Sequence, residues 1–450
     1  MTKKIALIAV FTSFLMAFGQ GSGQNFTSSP YSNFGLGEKI NAQYLQLANG
    51  LNTRSGKYAY SPYNPATLGN IEFTTFDFGL TAKTGLINAG NQTSSFNGGG
   101  FSYLGLGFKL YHKDFFKIKE DSITKKISRK DILRLRVNAN ANIRPLTTVG
   151  YNYSLSSTLP IPSTTAHSGS GGLNVAEFGL GAKFNKWVSL GYSVGYVFGN
   201  LSDESIFSVT DSARFQRVSD ISNQDIRGAK HNIGIHTRFK LDSTYHTFGA
   251  HYGFYNGIYT NRQRITKAIF VDQFGFNYTG DTVNNVASGY RPSSIPSYFG
   301  FGYSFQYRQR WELQLNYEQE NWSSLTSSIK GRNRQEYGIG FILNPNDEKN
   351  KNVKRMPPQI RAGFTFTNTE NTVVSNGVTT DITQSYAFIG FGLPIVRRYF
   401  DNTQVRSMIN IDLGYLRRGT TANNLAKEEY FTARLGFNLG DIWFQRRKFN

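Results

Sequence analysis

Trp311-Glu-Leu-Gln-Leu-Asn-Tyr317 alternates without a miss: Trp311, Leu313, Leu315 and Tyr317 against Glu312, Gln314, Asn316 and then Glu318. Successive side chains of a strand point to opposite faces, so this segment has one apolar face and one polar face. The same alternation recurs along most of the 450 residues in pieces of about ten. Phe299/Phe301/Tyr303/Phe305/Tyr307 stands against Gly300/Gly302/Ser304/Gln306, and Phe431/Ala433/Leu435/Phe437/Leu439 against Thr432/Arg434/Gly436/Asn438. Two-faced strands of this length make a transmembrane β-barrel, apolar toward lipid and polar toward a lumen.

Fourteen strands are expected, at 73–83, 101–112, 137–153, 173–184, 187–200, 230–241, 244–256, 297–308, 311–323, 335–343, 359–369, 383–394, 405–417 and 428–441. An even number suits a single-chain barrel. Connection lengths agree with this division. The two-residue links Asn185-Lys186, Asp242-Ser243 and Gln309-Arg310 all follow even strands. The long links 84–100, 154–172, 201–229 and 257–296 all follow odd ones. Short periplasmic turns and long extracellular loops place both termini in the periplasm.

Ahead of the barrel, Lys3 and Lys4, the apolar run 5–18 and Ala17-Phe-Gly19 read as a signal peptide over 1–19. That run is shorter than the ~20 residues a helical span needs. The chain has no cysteine, which rules out a disulfide framework and an acylated lipoprotein anchor. Residues 20–70 do not alternate. They carry turn-formers around a candidate helix at 41–49, with Phe26, Tyr31, Phe34, Tyr44, Leu45 and Leu47 to pack. A stretch this size fits inside the lumen as a plug or hatch, with 71–450 as the barrel.

The net charge of +20 would suggest nucleic acid in a cytosolic protein, but export and the absence of any nucleic-acid-binding motif argue against it. Residues 112–136 hold nine Lys/Arg against four acids, and 344–357 and Arg446-Arg-Lys448 are also basic. These runs read as solvated rims or as docking surfaces for a periplasmic or membrane protein at 113–136 and 344–357.

Chemistry finds little support. His231/His236 and His246/His251 are each spaced five apart, which puts partners on opposite faces and argues against chelation within a pair. No hydrolase, zinc-protease or phosphate-loop pattern appears, so no catalytic residue, metal or cofactor is expected. Gly105-Leu-Gly107, Gly179-Leu-Gly181 and Gly390-Phe-Gly392 fit lumen-side alternation, where small residues leave room for a plug. Glu312, Glu318, Glu336, Arg308, Arg361, Asp412 and Arg434 point inward if the alternation holds, as a polar network in the lumen. Pro145 falls in the middle of the third strand, where it cannot donate a ladder hydrogen bond, and so marks a bulge or a local opening beside Arg144.

Several segments together resemble the FadL-type outer-membrane transporters in their Bacteroidota branch. They are Ser29-Pro-Tyr-Ser-Asn-Phe-Gly-Leu-Gly37, Leu47-Ala-Asn-Gly-Leu51, Tyr63-Asn-Pro-Ala-Thr-Leu68 and Ile143-Arg-Pro-Leu-Thr-Thr-Val-Gly-Tyr151. Gly171-Gly-Leu-Asn174, Tyr196-Val-Phe-Gly-Asn200, Gly419-Thr-Thr421 and Glu428-Glu-Tyr430 through Leu439-Gly-Asp-Ile-Trp-Phe444 complete the pattern. Ala48-Asn-Gly departs from it, since the family more often shows a Met-Gly-Gly type of sequence there. The resemblance implies a fourteen-stranded barrel with an N-terminal hatch and passive uptake of small, fatty-acid-like hydrophobic molecules. Tyr44, Leu47, Tyr63, Asn64, Pro65 and Ala66 would belong to the hatch and substrate pathway, and Arg144 and Pro145 to a lateral opening at strand three. The alternative is a non-transporting membrane subunit of a larger machine for protein secretion or barrel assembly.

Overall fold

In a computed structural model of the chain, the described residues are 29–33, 36–39, 48–90, 92–120, 127–158, 162–185, 187–209, 216–271, 277–308, 310–324, 332–344, 357–375, 377–398 and 404–442. Side chains are described for these residues except at 114–134, 216 and 270–279. The expected signal segment 1–19, most of the candidate helix 41–49, and Tyr44 and Leu47 lie outside them.

The strands are β1 (Glu38–Lys39), β2 (Thr74–Ala89), β3 (Gln92–Glu120), β4 (Ile127–Pro145), β5 (Thr147–Ser157), β6 (Ser163–Phe184), β7 (Val188–Val209), β8 (Gln216–Leu241) and β9 (Thr244–Val271). Then come β10 (Asn277–Pro292), β11 (Tyr298–Tyr307), β12 (Trp311–Glu320), β13 (Arg334–Leu343), β14 (Gln359–Ser375), β15 (Val378–Arg398), β16 (Gln404–Gly419) and β17 (Ala426–Asp441). Each wall strand pairs antiparallel with its neighbours, and β17 closes on β2 from Ala426↔Ala89 to Asp441↔Thr74. The result is a closed barrel of fourteen strands, with β4 and β5 forming one broken strand. Closure satisfies every ladder along the seam, which a sheet in lipid requires.

Alternation then fixes the two faces. On β7, Val188, Leu190, Tyr192, Val194 and Tyr196 are exposed while Ser189 and Ser193 are buried. Phe301 and Leu315 are likewise exposed, and Glu312, Gln314 and Glu318 are buried. An apolar outer belt around a polar interior is the arrangement lipid selects, so this is an outer-membrane barrel. Asn185 and Asp242 take positive φ in the tight turns, the conformation those two residue types tolerate best.

Three expectations need correction. The long links 84–100, 154–172, 201–229 and 257–296 are largely strand rather than loop. β2 and β3 meet in a tight hairpin, and β6, β7, β8 and β9 run on past the belt. Above the belt β9 leaves β11 and pairs with the additional strand β10 instead. Nothing outside the bilayer demands an apolar face, so these extensions are rich in Ser, Thr, Asn and Gly and lack a visible alternation. Arg308 does not point into the lumen. It sits exposed in the β11–β12 turn at φ 44°, one residue past the end of the ladder. The described part of the basic run 113–136 is strand too, because β3 and β4 pair through it as far as Glu120↔Ile127.

Candidate functional site

Residues 48–73 run through the interior, and their local structure follows from two short signals. Asn64 caps the 3-10 helix Pro65–Asn70, its Oδ1 accepting from the Ala66 N–H at 3.1 Å. Pro65 occupies the first helical position, where its missing N–H costs nothing. Leu51, Tyr60, Tyr63, Leu68 and Ile71 then gather around Tyr103 of β3 as a small apolar core.

Most of what fastens this segment to the wall is polar. Asn64 Nδ2 donates to the Ile235 carbonyl at 3.0 Å and to the Asn52 carbonyl at 2.9 Å. Asn49 Nδ2 donates to the Ile339 and Phe364 carbonyls at 2.7 and 2.9 Å. From the wall side, Asn232 donates to the Tyr63 carbonyl at 2.7 Å, and Asn138 to the Leu68 carbonyl at 2.6 Å. Arg54 meets Glu312 at 2.6 Å, and Glu312 also accepts from Ser304 and Gln314. Inward glycines admit the close approach. A Cβ at Gly249 would lie 2.0 Å from the Asn52 carbonyl oxygen, and one at Gly191 would lie 2.3 Å from the Ala66 nitrogen. His236 and His251 face this interior and are buried, while His231 and His246 contact Tyr192 and Tyr303 on the outer face.

The inward charges are paired in separate groups rather than joined in one path. Arg361 binds Asp412 at 3.1 Å, Arg434 lies 3.6 Å from the same carboxylate, and Glu336 binds Arg334 at 3.0 Å. The strand β1 is a junction that no periodicity announced. Its backbone pairs Glu38↔Thr148 and Lys39↔Thr147, its Lys39 reaches Glu320 at 2.6 Å, and its Glu38 binds Arg418. A second group was also missed: Glu177 is held by Lys230 at 3.2 Å and Arg144 at 3.5 Å, both side chains buried. The signal was present, because Glu177 shares its face with Gly179 and Gly181, and Lys230 with Asn232, Gly234 and His236. Tyr63 covers Arg144, its ring 4.8 Å from the guanidinium carbon.

Directly beside Arg144 the wall is interrupted. β4 ends at Pro145, which has no N–H to give the ladder. β3 pairs with β4 only as far as Leu104↔Ile143, and its residues 92–103 pair with β2 alone. β5 pairs with β6 and with β1, so no ladder joins it to β3. A cleft of about 530 Å³ fills the space, lined in part by Gly99, Gly100, Phe101, Pro145, Thr147 and Thr148. Gly171 and Gly172 hold the other side of the break at φ 117° and 151°, angles that residues with a Cβ rarely adopt. Val149, Tyr151, Leu173, Val175, Val197 and Leu201 form a buried apolar cluster beside it, with Leu36 and Leu146 packed against them.

Comparison with known proteins is consistent with this architecture. A family model described as BamG matches residues 1–116 and 132–450. None of the curated proteins matches the chain. Among solved structures, the TodX deltaS2S3 mutant, a monoaromatic hydrocarbon channel, is 13% identical with a TM-score of 0.53, over 87% of this chain and 98% of that one. The deltaS2 mutant of the same channel is 13% identical with a TM-score of 0.52, over 90% of this chain and 100% of that one. At such identities the likeness establishes a FadL-type fold and nothing finer.

Proposed function

Since the chain belongs to the BamG family and folds as a FadL-type outer-membrane barrel, we propose that it passes small hydrophobic molecules passively, without chemistry, and releases them sideways into the membrane. The observation that carries this reading is the missing ladder between β3 and β5. A closed barrel leaves a wall strand without its second ladder only where something requires it. The apolar cluster next to the break gives a fatty-acid-like or hydrocarbon guest a surface to cross. Pro145 and Arg144 then frame the exit. Tyr63, with Asn64, Pro65 and Ala66 behind it, forms the floor of the hatch. The fold shared with monoaromatic hydrocarbon channels supports the substrate class.

The test is transfer of a fluorescent long-chain fatty acid into vesicles carrying the full chain. We expect transfer above that of empty vesicles and its loss on deleting residues 20–64. Equal transfer with and without the protein would overturn the reading.

A second reading has its own supporting observation. The lumenal segment is anchored by side-chain bonds to carbonyls and carboxylates on several wall strands, which suits a fixed plug. On this reading the barrel is a membrane subunit of a larger outer-membrane machine, docking through 113–136 and 344–357. Affinity purification from solubilised membranes separates the two readings. A carrier comes out alone, and a subunit comes out with stoichiometric protein partners.

A further inference from the structure

Among the large side chains of the lipid-facing belt lies a dimple at Ala250. Ala250 of β9 lies between Ile235 of β8 and Phe301 of β11, its direct partners on either side. With Phe248, Tyr303 and Leu315 they line an outward groove of about 580 Å³, a size typical of small-molecule sites. The groove points away from the lumen, so it plays no part in the proposed transport route.

Its position relative to the barrel rim identifies an occupant. From Ser243 to Ala250 is seven residues of strand. At ~3.4 Å per residue and a tilt of ~40°, that places the groove ~18 Å above the short-turn rim, about the depth of one leaflet. Below the groove, His246 Nδ1 and the Tyr303 hydroxyl meet at 2.8 Å. Lower still, the β11–β12 turn exposes Arg308 and Arg310, and the neighbouring turn contributes Asp242. The backbone bond from Arg308 N to Ser243 O at 2.8 Å ties the two turns together. Cations therefore outnumber anions below an apolar slot one acyl chain long.

We propose that this face holds one phospholipid with an anionic headgroup. An acyl chain lies in the Ala250 groove, His246 and Tyr303 meet the glycerol ester region, and Arg308 and Arg310 meet the phosphate. Anionic lipid headgroups are recognised by such basic clusters at the membrane surface.

The test is native mass spectrometry of the full chain in detergent with added phosphatidylglycerol or phosphatidylcholine of the same acyl composition. The wild type should retain one phosphatidylglycerol in preference to phosphatidylcholine. Ala250→Phe, which fills the groove, should lower that retention about tenfold or more. Paired Arg308→Ala and Arg310→Ala should remove the headgroup preference. Ala250→Leu serves as a milder filling variant, and heat-modifiable gel migration confirms that each barrel is folded. Retention unchanged in Ala250→Phe, equal retention of the two lipids by the wild type, or a changed oligomeric state on filling the groove would each overturn the proposal. The last outcome would mark the groove as a contact between copies of the chain.

Discussion

Arg54 and Glu312 meet at 2.6 Å with 5% of each side chain exposed, joining the non-periodic N-terminal segment to the first turn-side residues of β12, the most regular strand in the wall. Glu312 accepts two further bonds, from Ser304 and Gln314, so its charge is well solvated by protein. Removing only one partner of a buried pair leaves an uncompensated charge and costs roughly 3–5 kcal/mol, whereas replacing both can be close to neutral. Arg54→Met should therefore destabilise the attachment of residues 48–73 by about that amount, with Arg54→Met/Glu312→Leu recovering much of it. Limited proteolysis within 48–73 reads the effect. Equal cleavage of wild type and single variant would show that the pair does not hold the segment.

Asn64 carries three roles in one side chain: helix cap, tether to the Asn52 carbonyl, and tether to the Ile235 carbonyl on β8. Asn64→Ala removes the cap and leaves buried acceptors bare, for about 2–4 kcal/mol of local stability. The loss should appear as faster amide exchange over 61–70 while exchange in β11 and β12 stays unchanged. Asn64→Asp should recover the cap alone, because a carboxylate cannot donate to the two carbonyls.

How much of this was legible follows from where lipid constrains the sequence. Phe301, Leu315 and Phe437 point outward as their alternation requires, because every second residue within the belt must be apolar. Above the belt that requirement lapses, and β10 was invisible for that reason. Of the charges that parity turns inward, Glu312, Arg361, Asp412 and Arg434 are buried, and Arg308 is exposed where the ladder stops before the alternation does. Parity could not supply partners. Arg54 and Lys39 lie in a stretch without a period, so their pairing with Glu312 and Glu320 exists only in three dimensions. Pro145 was readable as an interruption because it rests on a local rule, a missing N–H, whereas the capping role of Asn64 emerged only from the structure.

The extension above the belt contains a test of its own rigidity. On β9, Arg264 Nε donates to both carboxylate oxygens of Asp220 on β8 at 2.9 Å. These hydrogen bonds hold the Asp220 carboxyl below its ordinary value, against a smaller opposing effect of burial. A folded pKa below the unfolded one gives stabilisation that is present above about pH 4 and lost as pH falls through the folded value. Amides of 217–226 should therefore exchange faster on going from about pH 5 to about pH 2, after correction for intrinsic rates. The effect is small because the pair is largely exposed. Arg264→Ala should remove most of the pH-dependent part, leaving the Thr266 hydroxyl bond to the same carboxylate, and a variant that retained it in full would assign the effect to another group.

The break in the wall gives the most direct test of function. Because the chain has no cysteine, a pair introduced at Gly100 and Thr148 would be the only thiols present. Those positions line opposite sides of the cleft between β3 and β5. A reducible bis-maleimide or methanethiosulfonate linker across them would tie the two sides of the break together without touching the Arg54–Glu312 attachment. If hydrophobic molecules leave sideways, linking should cut fatty-acid transfer by about tenfold or more, and reduction of a disulfide-based linker should restore it. Pro145→Ala acts in the same direction more weakly, since it returns an N–H to the ladder but leaves the glycines at 171 and 172 in place. Transfer that persisted through the linked wall would send the route elsewhere. Absence of transfer in both states, together with co-purifying protein, would favour the subunit reading.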